Sequence, residues 1–120
     1  MLKDTRFEEL TLLNNGWLNG KGKALDKDEV KRFNESFYSF YDGSLPLPYL
    51  YPTAEGGLQA EWLIKDWDIS LEIELTNLSA ELHALNLQSD EEKELDLNLV
   101  EQDDWQTLNE MLEGFNKEHA

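Results

Sequence analysis

The chain predicts an α+β fold in which a five-stranded antiparallel meander sheet is covered on one face by N-terminal and C-terminal amphipathic helices. Three observations carry this expectation. If Lys65-Asp66 is the loop of a hairpin, Ile64 faces Trp67, Trp62 faces Ile69, Ala60 faces Leu71 and Leu58 faces Ile73, all on one face. A second reversal at Thr76-Asn77 puts Leu75 against Leu78, Ile73 against Ala80, Leu71 against Leu82 and Ile69 against Ala84, again on that face. Register is thus specified twice, because a slip of one residue would turn a whole apolar set into water. The third observation is a pair of helix-period apolar stripes, one before and one after these strands, able to cover the sheet's single apolar face.

Each element follows from its own residues. Residues 3–14 read as a short helix with Phe7, Leu10, Leu13 and then Trp17 at helical spacing, ended by Asn14-Asn15-Gly16. Residues 16–23 form a loop, because three glycines within seven residues make regular structure costly. Asp26, with Glu29 three residues on, forms a capping box for a second helix whose stripe is Val30, Phe33, Phe37, Phe40 and Tyr41, stopping at Asp42-Gly43. Leu45-Pro46-Leu47-Pro48 is an extended connector into a short strand at 49–51, closed by Pro52 as suits an edge strand. Gly56-Gly57 gives the backbone freedom to turn back into 58–64. Strands over 67–75, 78–87 and 93–99 follow, the last alternating Leu95, Leu97 and Leu99 with Glu94, Asp96 and Asn98. Asp103, three before Gln106, caps a final helix at 103–116 with Trp105, Leu108, Met111, Leu112 and Phe115 as its buried stripe. The whole is one domain over 1–120, with a helical part at 1–43, a sheet part at 44–100 and only 116–120 expected to fray.

A chain of 120 residues buries about two thirds of the surface exposed when unfolded, which supports one core without staples. Cysteine is absent, so disulfides, thiolate zinc sites and a cysteine nucleophile are excluded. No apolar run reaches the roughly 18 residues of a membrane span, and Met1 to Arg6 lacks the apolar stretch of a signal peptide, which points to the cytoplasm. The formal net charge is -16. Residues 1–43 hold seven Lys/Arg against eight Asp/Glu, so 44–120, with three against eighteen, carry nearly all of the charge. Such a field repels phosphate backbones and anionic lipid, and its natural complement is a basic protein. High net charge also serves solubility alone, and composition does not separate the two roles.

Candidate chemistry lies on the outward face of the predicted sheet. Glu61, Ser70 and His83 fall in one row across three strands, with Gln59, Glu72 and Glu81 in the next. A carboxylate, a hydroxyl and an imidazole side by side are the parts of a nucleophilic site, but no Gly-x-Ser-x-Gly elbow or oxyanion loop accompanies them, and a polar surface ladder explains them more simply. Glu72 opposite Glu81 destabilises a ladder slightly, a cost that a basic surface or a divalent cation would offset. The two histidines, His83 and His119, form no His-Glu-x-x-His, and no EF-hand spacing occurs, so neither a metal nor another cofactor is expected. Gly20-Lys21-Gly22-Lys23 lacks Walker spacing and reads as a mobile basic loop. Tyr38, Tyr49 and Tyr51 are candidate anchors of an exposed contact surface.

Two stretches taken together resemble a known arrangement. Asn15-Gly16-Trp17-Leu18-Asn19-Gly20-Lys21-Gly22 precedes the long helix, and the run from Pro48 to Trp62, with Pro52-Thr53-Ala54-Glu55-Gly56-Gly57-Leu58-Gln59-Ala60-Glu61-Trp62 at its centre, follows it. This order resembles a group of small bacterial and phage proteins with a Trp-x-Gly-x-Gly-like loop and a Pro-Thr-x-x-Gly-Gly-x-Gln-x-Glu-Trp hairpin, whose members look like antitoxins or accessory components of small operons. The resemblance covers roughly residues 10–75, and its first motif departs from the pattern at Leu18-Asn19 and Lys21. It implies fold more than activity.

The expected function is a non-enzymatic, acidic binding module that inhibits or regulates a basic partner, in the manner of an antitoxin, immunity protein or nuclease inhibitor. Its contact face would carry Glu61, Glu72, Glu74, Glu81 and His83. Two alternatives stand beside it: a small hydrolase or metal-dependent enzyme using Glu61, Ser70 and His83, and a structural subunit of a larger assembly.

Overall fold

The computed structural model describes residues 4–18 and 20–117, with the side chains of Asp4, Thr5, Phe7 and Glu8 left out. Phe7 as a stripe member, Asn19 in the glycine loop, the frayed end beyond Lys117 and His119 therefore lie outside what is described. The elements are α1 (Asp4–Thr11), α2 (Lys27–Phe40), β1 (Tyr49–Pro52), β2 (Leu58–Ile64), β3 (Trp67–Ile73), β4 (Ser79–Asn86), β5 (Glu92–Asn98) and α3 (Gln102–Lys117). The strands form one antiparallel sheet in the order β1-β2-β3-β4-β5, the predicted meander.

The predicted register holds pair by pair: Trp62 faces Ile69, Ala60 faces Leu71, and Leu71 in turn faces Leu82. Those residues are all buried, together with Leu58, Ile73, Ala80 and Ala84. Lys65 takes φ +56 in the β2-β3 turn, the left-handed conformation that two-residue hairpin loops favour.

The second reversal is wider than expected. Strand β3 stops at Ile73 and β4 starts at Ser79, not at 75 and 78. Glu74 N donates to Ser79 O at 2.9 Å, Leu78 N donates to Glu74 O at 2.8 Å, and Asn77 Oδ1 accepts from Ser79 N. Leu78 sits at φ +58, although a side chain there costs about 1–2 kcal/mol. Burial of Leu75 and Leu78, each 2 % exposed, offsets that strain, since a buried leucine contributes about 1.5–3 kcal/mol. Core packing overrides the turn preference of Thr76-Asn77.

Helix α2 starts where the sequence places it. Asp26 Oδ1 accepts from the backbone N–H of Asp28 (2.9 Å) and of Glu29 (3.0 Å), although the reciprocal half of the box is not made among the described residues. The expected cap of the last helix is corrected: α3 begins at Gln102, so Asp103 lies in its first turn, and Glu101 O receives Asp104 N and Trp105 N. The neighbouring Asp104 instead uses its carboxylate to accept from Asn98 N at 2.6 Å, tying the helix start to the end of β5. Helix α1 is also shorter than the 3–14 expected, because the chain turns at Asn14 to Trp17 with Gly16 at φ +85.

The helices cover the apolar face of the sheet through aromatic contacts. Phe33 and Phe37 meet Trp105 at centroid distances of 6.0 and 6.3 Å, joining α2 to α3. Tyr41 stacks on Phe37 at 4.6 Å and reaches Trp62, while Trp67 packs on Phe115 at 4.6 Å. Lys93 lies over both of those last rings, 5.3 and 5.5 Å from their centroids, and so shields the core near β5 with a cation–π contact. Among the described residues no polar or charged residue is fully buried, and no helix is long and apolar enough to cross a membrane.

Tyr41 brings a hydroxyl into this apolar layer, where it accepts from Trp62 Nε1 at 3.0 Å and donates to Pro46 O. Burial pushes its pKa up to about 12, partly countered by the Trp62 bond and reinforced by the Asp42 charge. The folded protein therefore retains this proton where the unfolded chain, titrating near 10, has lost it. Stability from this group is complete below pH 10 and falls as pH rises through about 12. A denaturant titration across that window is expected to show a decline that flattens in Tyr41→Phe.

The turn between β1 and β2 places its two glycines for different reasons. Gly56 has φ +87, which a side chain strains, whereas a Cβ on Gly57 would lie 2.7 Å from the Ile73 carbonyl oxygen and 3.0 Å from Thr53 Oγ1. Thr53 closes the turn, its hydroxyl accepting from Gly57 N at 2.8 Å and its own N–H donating to Gly57 O at 3.0 Å. Gly56→Ala is expected to cost about 1 kcal/mol and Gly57→Ala about 1–3 kcal/mol, read as shifts in denaturant midpoint. Binding by correctly folded molecules should be unchanged; if melting stayed constant while binding vanished, the turn would be a contact loop instead.

Candidate binding face

Alternation along each strand sends every second side chain away from the helices, and the observed register arranges these in rows. One row runs Tyr49, Glu61, Ser70, His83, Glu94 from β1 to β5. The next runs Tyr51, Gln59, Glu72, Glu81, Asp96. Leu63, Asp68, Leu85 and Glu92 flank them on one side; Ser79 and Asn98, with Glu74 just beyond β3, flank them on the other. Among the described residues no lysine or arginine occupies an outward-facing strand position, and Lys93, the basic residue of β5, points to the helical side.

The Glu72 and Glu81 pairing expected from the sequence is present and continues to Asp96, so three carboxylates stand in contiguous register across β3, β4 and β5. Glu72, Glu74, Ser79, Glu81 and Asp96 line a shallow depression of about 260 Å³. Among the described residues no group of three or more His, Asp or Glu side chains is placed to hold a metal ion. A larger hollow of about 340 Å³ lies between α2 and α3, where Asn109 accepts from Asp42 N at 3.1 Å and donates to Phe40 O at 2.8 Å. That asparagine serves to cap the end of α2.

Glu61, Ser70 and His83 are adjacent in register, as expected, but their hydrogen bonds lead elsewhere. Glu61 accepts from Gln59 Nε2, and His83 Nε2 lies 3.2 Å from Glu92 Oε1 and 4.0 Å from Glu94 Oε1. Among the described residues Ser70 is joined to neither partner by a hydrogen bond. On this face the imidazole sits among carboxylates.

Tyr49 and Tyr51, 71 % and 45 % exposed, stand at the β1 side of the same face, near the exposed Leu63. They give an amphipathic border to the acidic field. Tyr38 is separated from them: it lies on α2, in the layer that covers the opposite side of the sheet. Sequence reasoning missed Asp68, Glu92, Glu94 and Asp96 as members of the face. The alternation of Leu95 and Leu97 with Glu94 and Asp96 carried the signal, and extending the register across the Ser89-Asp90 turn would have revealed it.

The glycine loop of residues 16–23 and the turn between β1 and β2 touch one another. Gly16 N donates to Gly22 O at 2.7 Å, Trp17 Nε1 donates to Lys23 O at 2.8 Å, and Lys23 N donates to Ala54 O at 2.8 Å. The glycine loop thus docks on the Thr53–Gly57 turn, and the Trp17 ring lies 2.9 Å from where a Cβ on Gly22 would stand. No protein-family model, no curated protein and no solved structure matches this chain.

Proposed function

We propose that this protein is a non-enzymatic acidic binding module that inhibits or regulates a basic protein partner, of the antitoxin, immunity or nuclease-inhibitor kind, and acts in the cytoplasm. The observation that carries the reading is the open sheet face, on which carboxylates from β2 to β5 stand in register with no lysine or arginine of the described residues among them. Like charges in adjacent positions weaken a ladder, so their accumulation on one face is an energetic cost that a cationic surface would reverse. Charge of this kind accelerates encounter and selects partners by sign, while Tyr49, Tyr51 and Leu63 supply apolar area for residence.

The test is capture of a partner from cells of origin at low ionic strength, followed by elution with rising salt. A basic protein should elute early in the gradient, and adding the acidic chain back should suppress its activity. Retention only of neutral or acidic proteins, or binding indifferent to salt, would overturn the proposal.

A further inference from the structure

The two edges of the sheet are finished differently. In β1 the groups facing outward belong to Leu50 and Pro52: Leu50 O accepts from Arg6 Nε at 3.1 Å and from Arg6 Nη2, and Pro52 has no N–H to offer. That edge is short, and part of it is already occupied. On β5, Asn86 N donates to Glu91 O and Leu99 N to Leu78 O, both at 2.8 Å, which fixes the alternation of the β4-β5 ladder. Lys93, Leu95 and Leu97 bond inward to β4, so Glu92, Glu94 and Asp96 direct their backbone N–H and C=O groups away from the sheet. Asp104 covers Asn98 N and ends the free stretch there. Among the described residues nothing pairs with the other three.

The residues with free backbone groups also carry carboxylates, all on the open face. Charge on an edge strand discourages pairing with unselected chains, and here it discriminates by sign. Two copies of this chain joined antiparallel along β5 would set Glu92, Glu94 and Asp96 against one another, so a second copy is a poor occupant. An incoming strand with cationic side chains at alternate positions would meet a carboxylate at each of them, because directly opposed residues of an antiparallel pair share a face.

We propose that the β5 edge is a strand-addition site for an extended basic polypeptide segment with Lys or Arg at every second position. Its backbone pairs with Glu92, Glu94 and Asp96, and its cations lie against their carboxylates. The inference rests on the reading of the partner as a basic protein and adds how that partner is held.

The test uses synthetic peptides and the intact protein. Fluorescence anisotropy compares labelled Thr-Lys-Val-Lys-Val-Lys-Thr with Val-Thr-Lys-Lys-Lys-Thr-Val, which has the same composition with its lysines consecutive. Amide exchange followed by NMR reports on the edge. The alternating peptide is expected to bind about tenfold tighter and to slow exchange of the Glu94 and Asp96 amides, while those of Lys93 and Leu95, already in the ladder, change little. Glu94→Pro removes an edge donor without breaking a ladder bond and should reduce affinity to that of the permuted peptide, whereas Glu94→Thr keeps the donor and should lose less. If Glu94→Pro lowers the melting temperature, N-methylation of the peptide at its pairing amides tests the same ladder on the native protein by removing the reciprocal bonds, from peptide N–H to the carbonyls of β5. Equal, salt-sensitive binding of both peptides would overturn strand addition and leave the acidic binding module standing. Tighter binding of the alternating peptide without slowed exchange would likewise overturn it and place the contact on the open face. Binding of neither peptide would overturn both readings.

Discussion

Leu71→Asp is expected to abolish the cooperative fold. Leu71 is 2 % exposed at the centre of the sheet, facing Ala60 on β2 and Leu82 on β4. Among the described residues no charged group lies inside the core to pair with a new carboxylate. An unpaired buried carboxylate costs several kcal/mol, against about 5–15 kcal/mol of total stability for a typical domain. The chain could rescue the substitution only by slipping β3 one residue, and that would turn Trp67, Ile69 and Ile73 outward as well. Far-ultraviolet circular dichroism and proton NMR dispersion measure the outcome: a cooperative melt near that of the native protein would sink the register argument. Glu72→Leu is the control, since Glu72 is exposed on the opposite face and its replacement should leave the fold intact.

The same alternation explains what the sequence made legible. A period of two, repeated on either side of two reversals, leaves a single register that buries Trp62, Ile69, Leu71 and Leu82 together, so strand pairing could be read before any coordinate was known. Asp26 was legible as a cap because its bonds to Asp28 N and Glu29 N are local. Features set by distant parts of the chain were not. Arg6 bonds to Leu50, 44 residues away, and Asp104 reaches back across the β5-α3 connection to Asn98, a bond set by how the helix docks on the strand end. The loop from Leu75 to Leu78 follows the demand of the core for two leucines, not the preference of Thr76-Asn77 for a tight turn. On the candidate face, the Glu72-Glu81 pair and the Glu61-Ser70-His83 row were readable from three strands, while its continuation through Glu94 and Asp96 depended on carrying the register to β5. The accessible edge of β5 was hidden because it is defined by what fails to pack against it.

Replacing Glu61, Glu72, Glu74 and Glu81 together by glutamine is expected to leave the fold intact, raise the melting temperature and slow partner binding. Glutamine preserves side-chain shape and hydrogen bonding, and the Gln59 contact of Glu61 can persist as an amide pair. Repulsion is relieved where Glu81 stands between Glu72 and Asp96, so the gain in stability should shrink as salt screens the native charges. Binding should change in the opposite sense. With the centre of the face neutral, steering of a basic partner weakens, and the association rate at low ionic strength should fall by about tenfold or more while its dependence on salt flattens. The dissociation rate should change less, because Tyr49, Tyr51 and Leu63 remain exposed beside the neutralised rows and apolar contact does not depend on charge. Stopped-flow measurements on the native and quadruple-glutamine proteins, run across ionic strengths with the captured partner, separate these contributions. An unchanged association rate would mean that the carboxylates of this face act on solubility alone.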